Sequence, residues 1–413
     1  TFVDATGGYG VGVVDALRMT NRDCIEVYFS GKPNDPRYFN KRAEIWFAMA
    51  EWVKGGGALP KLPLLIAELT TPTYSFKGDR MIVEPKEAIK KRGLPSPDLG
   101  DALALTFAYP VNRDRAVEAQ ARRMRLITGL VLMDRHAPDY LVNQGQGSVS
   151  GTEQSLRDTE ALIQRWHGVD RLGYAITPRF APTSTDAQLR GAGELAAKYP
   201  DVWIQSHVAE NKDEIAWARE LFPASRSYLA TYDDFGLMRQ RAIYAHCIHF
   251  DNEDRALMHS TGAAAAISPT SNLFLGSGFF DYIGADRVGY QYGLASDVGG
   301  GTSFSPFHTM LAAYYVGREG HTKTGLSLSP QHLWWQHTAG AAAALDLNGK
   351  IGNLLPGCEA DFVVLNPQAT PLLARRTAQT ETLAEWLFAM IVLGDERLIA
   401  HTVVQGQAVN IDP

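Results

Sequence analysis

From about Val117 onward the chain repeats one pattern, in which a short apolar run ends in polar residues and is followed by a loop and a helical stretch. Six apolar runs predict strands, and they are "MRLITGLVLMD", "RLGYAITPRF", "DVWIQSHVA", "AIYAHCIHF", "GAAAAISP" and "RVGYQYGLASD". Strands and helices that alternate at this spacing predict a parallel sheet with right-handed crossovers. The sheet is either open or a (β/α) barrel, and a full barrel would need eight strands.

Polar side chains stand at the ends of the predicted strands. They are Arg179, His207, His246 and Asp297. The carboxyl ends of the strands carry the chemistry of a TIM-like barrel, so we expect these side chains to share one rim. Histidine and aspartate are common ligands of zinc, which makes this rim a candidate metal site.

The stretch "SHVAEN" places Glu210 three residues after His207, where a helix is predicted to begin. The histidine can ligate a metal, and the carboxyl can carry a proton between a metal-bound water and a substrate. Taken alone, this spacing is more often a capped helix start with a solvated glutamate. Asp297 can ligate a metal or accept a proton from water, but it can also be a turn residue before Gly299. His249 is more often structural.

Composition narrows the class of protein. The chain has 413 residues, 45% of them apolar, and a formal net charge of −6, which does not favour a nucleic-acid or membrane surface. Its three cysteines are far apart and lack a CxxC spacing, so we expect a reducing, cytoplasmic location rather than a disulfide framework. No apolar run approaches the roughly 20 residues of a membrane span.

The second part of the chain resembles the amidohydrolase superfamily and, within it, the guanine deaminases. The resemblance covers about residues 113–413 and rests on the stretches "LITGLVLMDRHAPDYL", "YAITPRFAPTST", "SHVAENKDEIAWARELFP", "YAHCIHF", "SPTSNLFLGSGFFDY", "ASDVGGGTSFS" and "IGNLLPGCEADFVVLNPQATPLL". It implies an incomplete TIM-like barrel of amidohydrolase type with a small C-terminal β segment. It also implies hydrolysis of guanine to xanthine and ammonia on one Zn²⁺ ion that polarises the attacking water.

The same resemblance assigns the site residues. It implies that His207 and Asp297 ligate zinc, that Asp297 also accepts a proton from the water, and that Glu210 protonates the ring nitrogen. His246 would hydrogen-bond near the attacked carbon. The purine-binding residues would be Arg179, through a carbonyl oxygen, and Phe180, by packing. Without the resemblance, an arginine at the end of a strand is more often an ion-pair partner.

One feature of the family is missing. Guanine deaminases carry a His-x-His pair on the first barrel strand that supplies two zinc ligands, and no His-x-His occurs in the 413 residues. We expect the first two barrel strands to be absent too. Two protein ligands are fewer than the three or four that zinc takes, so we expect deamination to be impaired. Whether His136 or His308 substitutes at the metal stays open.

The first part of the chain, about residues 1–111, resembles a piece of the nuclease domain of phage terminase large subunits. The stretches that carry this resemblance are "VDATGGYGVGVVDALR", "VYFSGKPNDPRYFNKRAEIWFAMAEWV", "LIAELTTPTYSF" and "VEPKEAIKKRGLPSPDLGDALALTFA". It implies an RNase H-like α/β fragment that holds Mg²⁺ or Mn²⁺ for cleavage of DNA, with Asp4, Asp98 and Asp101 as candidate ligands. Without the resemblance these acids are more often structural, since Asp98 lies in a first helical turn.

We therefore predict three parts, which are residues 1–111 (nuclease-like), 112–345 (incomplete barrel) and 346–413 (small β-sheet). The leading hypothesis is a guanine deaminase-type zinc hydrolase with guanine as its small-molecule partner and no membrane partner. A metal-dependent DNA nuclease fragment and an inactive chimera are the alternatives, and DNA is a partner only if the first part is active. Related deaminases make a homodimer an expectation by analogy.

Overall fold

The computed structural model describes residues 2–6, 13–16, 25–54, 59, 61–108, 115–139, 141–145, 148–320 and 326–409. The chain divides into two compact units, Thr1–Asp114 and Arg115–Pro413. The join predicted near residue 112 lies outside the described residues. The three predicted domain ranges stay predictions.

The first unit contains two small sheets and short helices. Strands β1 and β2 pair in parallel, and β3 and β4 form an antiparallel hairpin. The bounds are β1 Phe2–Asp4, β2 Ile25–Val27, α1 Lys41–Lys54, α2 Pro63–Thr70, β3 Tyr74–Lys77, β4 Arg80–Val83, α3 Lys86–Lys91 and α4 Asp98–Leu105. These elements alone do not support the RNase H-like fold predicted for residues 1–111.

The sequence makes two local predictions in the first unit. The stretch "LIAELTTPTYSFKGDRMIVE" predicts a pair of strands, and β3 and β4 form that pair, but its first residues belong to helix α2, which begins at Pro63 and is rich in good helix formers. Ser96 is predicted to cap α4, but Pro97 occupies the N-cap position. The hydroxyl of Ser96 instead donates to Oδ1 of Asp98 at 2.7 Å.

The second unit contains one large sheet surrounded by helices. Its strands are β5 Leu126–Thr128, β6 Val131–Leu132, β7 Leu172–Pro178, β8 Trp203–Val208, β9 Ala242–His246, β10 Ala264–Ile267, β11 Gln291–Leu294, β12 Phe362–Leu365, β13 Ile399–Val404 and β14 Gln407–Ala408. Its helices are α5 Arg115–Ala121, α6 Gly151–Trp166, α7 Asp186–Lys198, α8 Lys212–Leu221, α9 Tyr228–Asp234, α10 Asn252–Thr261, α11 Pro269–Phe274, α12 Tyr282–Val288, α13 Pro306–Gly320, α14 Pro330–His337, α15 Ala339–Ala344, α16 Pro371–Thr377 and α17 Leu383–Leu393, with short 3₁₀ turns at Ala181–Thr183 and Glu396–Leu398.

The large sheet is parallel throughout and has the order β11-β10-β9-β8-β7-β5, with β6 also paired to β7. Strands β5 and β6 are two halves of one predicted strand, interrupted at Gly129. A Cβ atom at Gly129 would lie 1.8 Å from the carbonyl oxygen of Ala175, so only glycine allows this close approach. All six predicted strand segments form strands, and the sheet is a curled half-barrel.

Burial and capping explain why these segments fold as they do. Strand β7 is buried along nearly its whole length, as expected for a parallel strand covered on both faces. Helices follow strands and begin at side-chain caps: Thr185 caps α7, Asn211 caps α8 and Asp251 caps α10. Each cap satisfies a backbone N–H of a first turn, which fixes where the loop after a strand ends.

The C-terminal residues form the small sheet that the sequence predicts. Strands β12, β13 and β14 pair antiparallel in that order. None of the helices in the described ranges is both long enough and apolar enough to cross a bilayer.

Candidate active site

The carboxyl ends of neighbouring strands bring the predicted site residues onto one rim. Arg179 follows the last residue of β7, His207 lies near the end of β8, and His246 is the last residue of β9. The backbone N–H of His207 donates to the carbonyl oxygen of Arg179 at 3.1 Å, and Phe180 forms a bridge to His207. The rings of His207 and His246 lie 5.5 Å apart between centroids.

The imidazole of His207 is oriented by the backbone of the adjacent strand. Its Nδ1–H donates to the carbonyl oxygen of Arg179 at 2.6 Å, which leaves Nε2 as the nitrogen with a lone pair. Burial lowers the pKa of His207, although this hydrogen bond and the charge of Asp297 act in the opposite direction. The lowered pKa favours the neutral imidazole, which is the form that binds metals, and the carbonyl sets its tautomer.

His246 and Glu210 form a second pair in the site. The buried His246 donates from Nδ1 to Oδ1 of Asn272 at 2.8 Å, and its Nε2 lies 3.5 Å from Oε2 of Glu210. The other carboxylate oxygen of Glu210 accepts from the hydroxyl of Ser277 at 3.0 Å. Glu210 is thus held on one side while facing an imidazole that can exchange a proton with it.

Asp297 lies in a tight turn three residues after β11. It has a φ of +48°, and Ala209, His246 and Cys247 at the ends of β8 and β9 also have positive φ values. Non-glycine residues rarely adopt this conformation, which costs of order 1–3 kcal/mol each and concentrates at functional sites. Asp297 is half-buried, and its charge is close enough to His207 to oppose, in part, the lowering of the His207 pKa by burial.

A cavity of about 510 Å³ opens beside these groups. This volume suits a small molecule. Its lining residues are Arg179, Phe180, His207, Glu210, Asn211, Asp213, Glu214 and Trp217. Sequence reasoning named four of them and missed the rest. The missed residues are Asn211 and, on α8, Asp213, Glu214 and Trp217. Asp213 and Glu214 follow Glu210 by three and four positions, and Trp217 follows them by four and three. This spacing could have indicated a shared helix face.

The donor groups do not form a complete zinc site. Within the described ranges, no group of three or more His, Cys, Asp or Glu side chains is arranged to hold a metal ion. We call His207 and Asp297, the two zinc ligands that the sequence predicts, the half-site. Their role stays a prediction, and two donors would be fewer than the three or four protein ligands that zinc takes. The ring of His136, which the sequence leaves open as a substitute ligand, packs against Trp217 with 5.4 Å between ring centroids.

A buried tyrosine holds the backbone beneath the half-site. The hydroxyl of Tyr232 donates to the carbonyl oxygen of His207 at 2.7 Å and accepts from the backbone N–H of Ala181 at 2.9 Å. It also lies 2.9 Å from the hydroxyl of Ser206. Tyr232 therefore ties the ends of β7 and β8 together.

We expect Tyr232→Phe to destabilise the second unit by about 1–3 kcal/mol, because the N–H of Ala181 would lose its partner in a buried position. Tyr282→Phe is the matched control, since Tyr282 is equally buried and its hydroxyl has no hydrogen-bond partner among the described residues. Thermal unfolding monitored by circular dichroism checks both. Equal midpoints for the two variants would contradict the role given to Tyr232.

The acids predicted as nuclease ligands have other partners. Oδ1 of Asp101 accepts from Arg42 at 3.0 Å and from the indole N–H of Trp46 at 2.7 Å. Asp98 is 74% exposed, and Asp4 accepts from the backbone N–H of Thr6. This arrangement gives the Mg²⁺ or Mn²⁺ hypothesis no support.

Known proteins similar to this chain agree with the geometry of the second unit. The guanine deaminase of Escherichia coli (strain K12) is 42% identical over 313 residues, a match that covers 75% of this chain and 69% of that protein. The solved structure of E. coli guanine deaminase has a TM-score of 0.68 at 40% identity, covering 75% of this chain and 68% of that chain. A guanine deaminase from C. acetobutylicum with guanine bound in its active site has a TM-score of 0.64 at 28% identity and covers 73% and 70%.

The Amidohydrolase family model matches residues 103–409, which include every element of the half-barrel and of the C-terminal sheet. The match runs through the rim that carries His207, Glu210, His246 and Asp297. The half-barrel, its rim and the family model together show that this chain belongs to the amidohydrolase family.

Proposed function

We propose that the second unit contains a guanine deaminase-type site. This site binds guanine and carries the groups for its hydrolysis to xanthine and ammonia. The observation that carries this proposal is the cavity in which Arg179, Phe180, His207 and Glu210 meet. Relatives that are guanine deaminases, one of them solved with guanine bound, support the choice of substrate.

Arg179 and Phe180 suit the recognition of a flat heterocycle with a carbonyl group. The side chain of Arg179 is exposed to the cavity, and among the described residues its guanidinium has no hydrogen-bond or ion-pair partner. It is free to donate to the carbonyl oxygen of guanine in a charge-assisted hydrogen bond. Phe180 is half-buried and offers an aromatic ring to the purine.

Glu210 and His246 are the groups that we propose to move protons. Hydrolysis requires that the attacking water give up two protons in turn, one to a ring nitrogen and one to the amino group, which leaves as ammonia while the carbonyl forms. Glu210 faces the cavity and lies beside Nε2 of His246, so it can take a proton from water and deliver it to the purine. Asp297 is a second carboxylate that can accept a proton from water.

We infer that hydrolysis is impaired, because the half-site supplies fewer donors than a zinc ion requires. Guanine binding does not depend on the missing donors, since Arg179 and Phe180 directly follow β7 and are not part of the half-site. We therefore expect this chain to bind guanine but to hydrolyse it slowly.

Two measurements on the purified chain test the proposal. Equilibrium dialysis with radiolabelled guanine should show binding, while ammonia release should be at least about 100-fold slower than that of E. coli guanine deaminase assayed in parallel, since loss of one stabilising group commonly costs that much. Metal analysis should find well below one zinc per chain. Absence of guanine binding would overturn the proposed substrate, and a full complement of zinc with rapid turnover would overturn the impairment.

The alternatives have less in their favour. No observation on the described residues favours a DNA nuclease or a chimera, and metal-dependent nicking of plasmid DNA would be needed to revive the nuclease hypothesis. The cytoplasmic location and the homodimer stay predictions.

A further inference from the structure

Trp217 lines the cavity but has no place in the chemistry described so far. It is half-buried on helix α8 and shares the cavity wall with Asp213 and Glu214. Asp213 and Glu214 are four and three positions before Trp217, so the three side chains lie on one face of the helix. Glu210, just before the helix, has the same spacing to Asp213 and Glu214.

The indole of Trp217 contacts two aromatic rings from other parts of the rim. It meets Phe180 edge-on at 5.9 Å between centroids and the ring of His136 at 5.4 Å. The guanidinium of Arg179 in turn lies 5.4 Å from the centre of the Phe180 ring. Phe180 is therefore in contact with Arg179 on its own strand end and with Trp217 on α8.

Helix α8 holds Trp217 rigidly. Asn211 caps the first turn by accepting from the backbone N–H of Glu214 at 2.8 Å, and Ala218, next to Trp217, is buried in the core. A tryptophan on a capped and packed helix loses little freedom when it contacts another ring. It can thus hold the ring of Phe180 in one orientation.

We propose that Trp217 is a positioning and specificity residue, which fixes the plane of the Phe180 ring and so selects a bicyclic purine over a monocyclic pyrimidine. This inference rests on the proposed function, because it takes the ligand to be guanine. When the ring of Phe180 is fixed, a bicyclic ligand such as guanine can stack on it over a large area. A monocyclic ligand such as cytosine has a smaller stacking area and loses less affinity when the ring is no longer fixed. Loss of Trp217 should therefore weaken guanine more than cytosine.

The test is equilibrium dialysis of radiolabelled guanine and radiolabelled cytosine against a small set of variants. Trp217→Leu should weaken guanine binding about 3- to 10-fold, in line with the usual worth of one aromatic pair, and should leave cytosine binding within about twofold. Trp217→Phe keeps an aromatic edge and should restore most of the guanine affinity. Trp335→Leu is the matched control, since Trp335 also packs against a histidine, His332 at 5.5 Å, and does not line the cavity.

A double-mutant cycle with Phe180→Leu separates positioning from simple contact. If Trp217 acts through Phe180, Trp217→Leu should have little further effect on guanine binding in the Phe180→Leu background. Fully additive losses, or guanine binding by Trp217→Leu equal to that of the parent chain, would overturn the inference. Failure of the parent chain to bind guanine would instead overturn the proposed function, and the two results are therefore distinguishable.

Discussion

Replacing Arg179 with alanine is expected to weaken guanine binding about 10- to 100-fold. A hydrogen bond from a charged donor contributes about 1.5–3 kcal/mol, and each 1.4 kcal/mol corresponds to a tenfold change in Kd. Among the described residues the guanidinium has no hydrogen-bond or ion-pair partner and only lies over the ring of Phe180, so its removal leaves no buried polar group unpaired. The loss should therefore appear in binding and not in stability. Equilibrium dialysis with radiolabelled guanine measures the first, and urea unfolding measures the second.

A second arginine in the same unit offers a matched control for Arg179. Arg190 lies over Phe235 at 5.6 Å, almost the same geometry as Arg179 over Phe180 at 5.4 Å, but it does not line the cavity. Arg190→Ala should leave guanine binding within about twofold of the parent, since it removes only an exposed cation–π contact. Equal losses in both variants would show that Arg179 acts through general structure and would refute its role in recognition.

The half-barrel could be predicted because its strands have a clear pattern in the sequence. Each is a short, nearly continuous apolar run, as buried parallel strands require, and each is separated from the next by a helix with a side-chain cap. The strand pair predicted in "LIAELTTPTYSFKGDRMIVE" forms as β3 and β4, but its first six residues are helical, because periodicity alone does not distinguish a short apolar helix from a strand. The interruption at Gly129 was also missed, because it depends on the approach of Ala175 from a neighbouring strand.

The site was predictable to the extent that it lies on strand ends. Arg179, His207 and His246 follow buried runs, and parallel strands place their carboxyl ends on one rim. Asn272 and Ser277, which hold His246 and Glu210, come from the segment after β10, and nothing in their local sequence indicates that contact. Their roles depend on how that segment turns back over the rim, which only the folded chain defines.

Asp101 shows how an acid that suits a metal can belong to the core. The sequence places it one turn after Asp98, a spacing compatible with two metal ligands. In the folded first unit its side chain is only 5% exposed and is surrounded by donors, which are Arg42, Trp46 and, at 2.8 Å, Lys86. Arg42 and Lys86 already neutralise the carboxylate, which leaves little negative charge to attract a divalent ion.

We expect Asp101→Ala to destabilise the first unit by about 3–5 kcal/mol, because it leaves the guanidinium of Arg42 as an uncompensated buried charge. The guanidinium of Arg42 would keep a second hydrogen bond, which Nη1 donates to the carbonyl oxygen of Glu84 at 2.7 Å. Hydrogen exchange of the backbone amides in α1 and α4 is the appropriate measurement, since it reports on these helices separately from the half-barrel. Protection there should fall by at least about 100-fold.

Asp98→Ala is the matched control, as the two acids lie on the same helix and Asp98 is 74% exposed. Its removal should change protection by less than about 1 kcal/mol, the usual limit for an exposed ion pair. The metal hypothesis predicts the opposite pattern: Mg²⁺ or Mn²⁺ would protect the parent chain, and both alanine variants would lose that effect equally. If Asp101→Ala loses more protection than Asp98→Ala and the ions have no effect, Asp101 belongs to the core of the first unit. A buried ion pair at Asp101 accounts for this difference between the two acids.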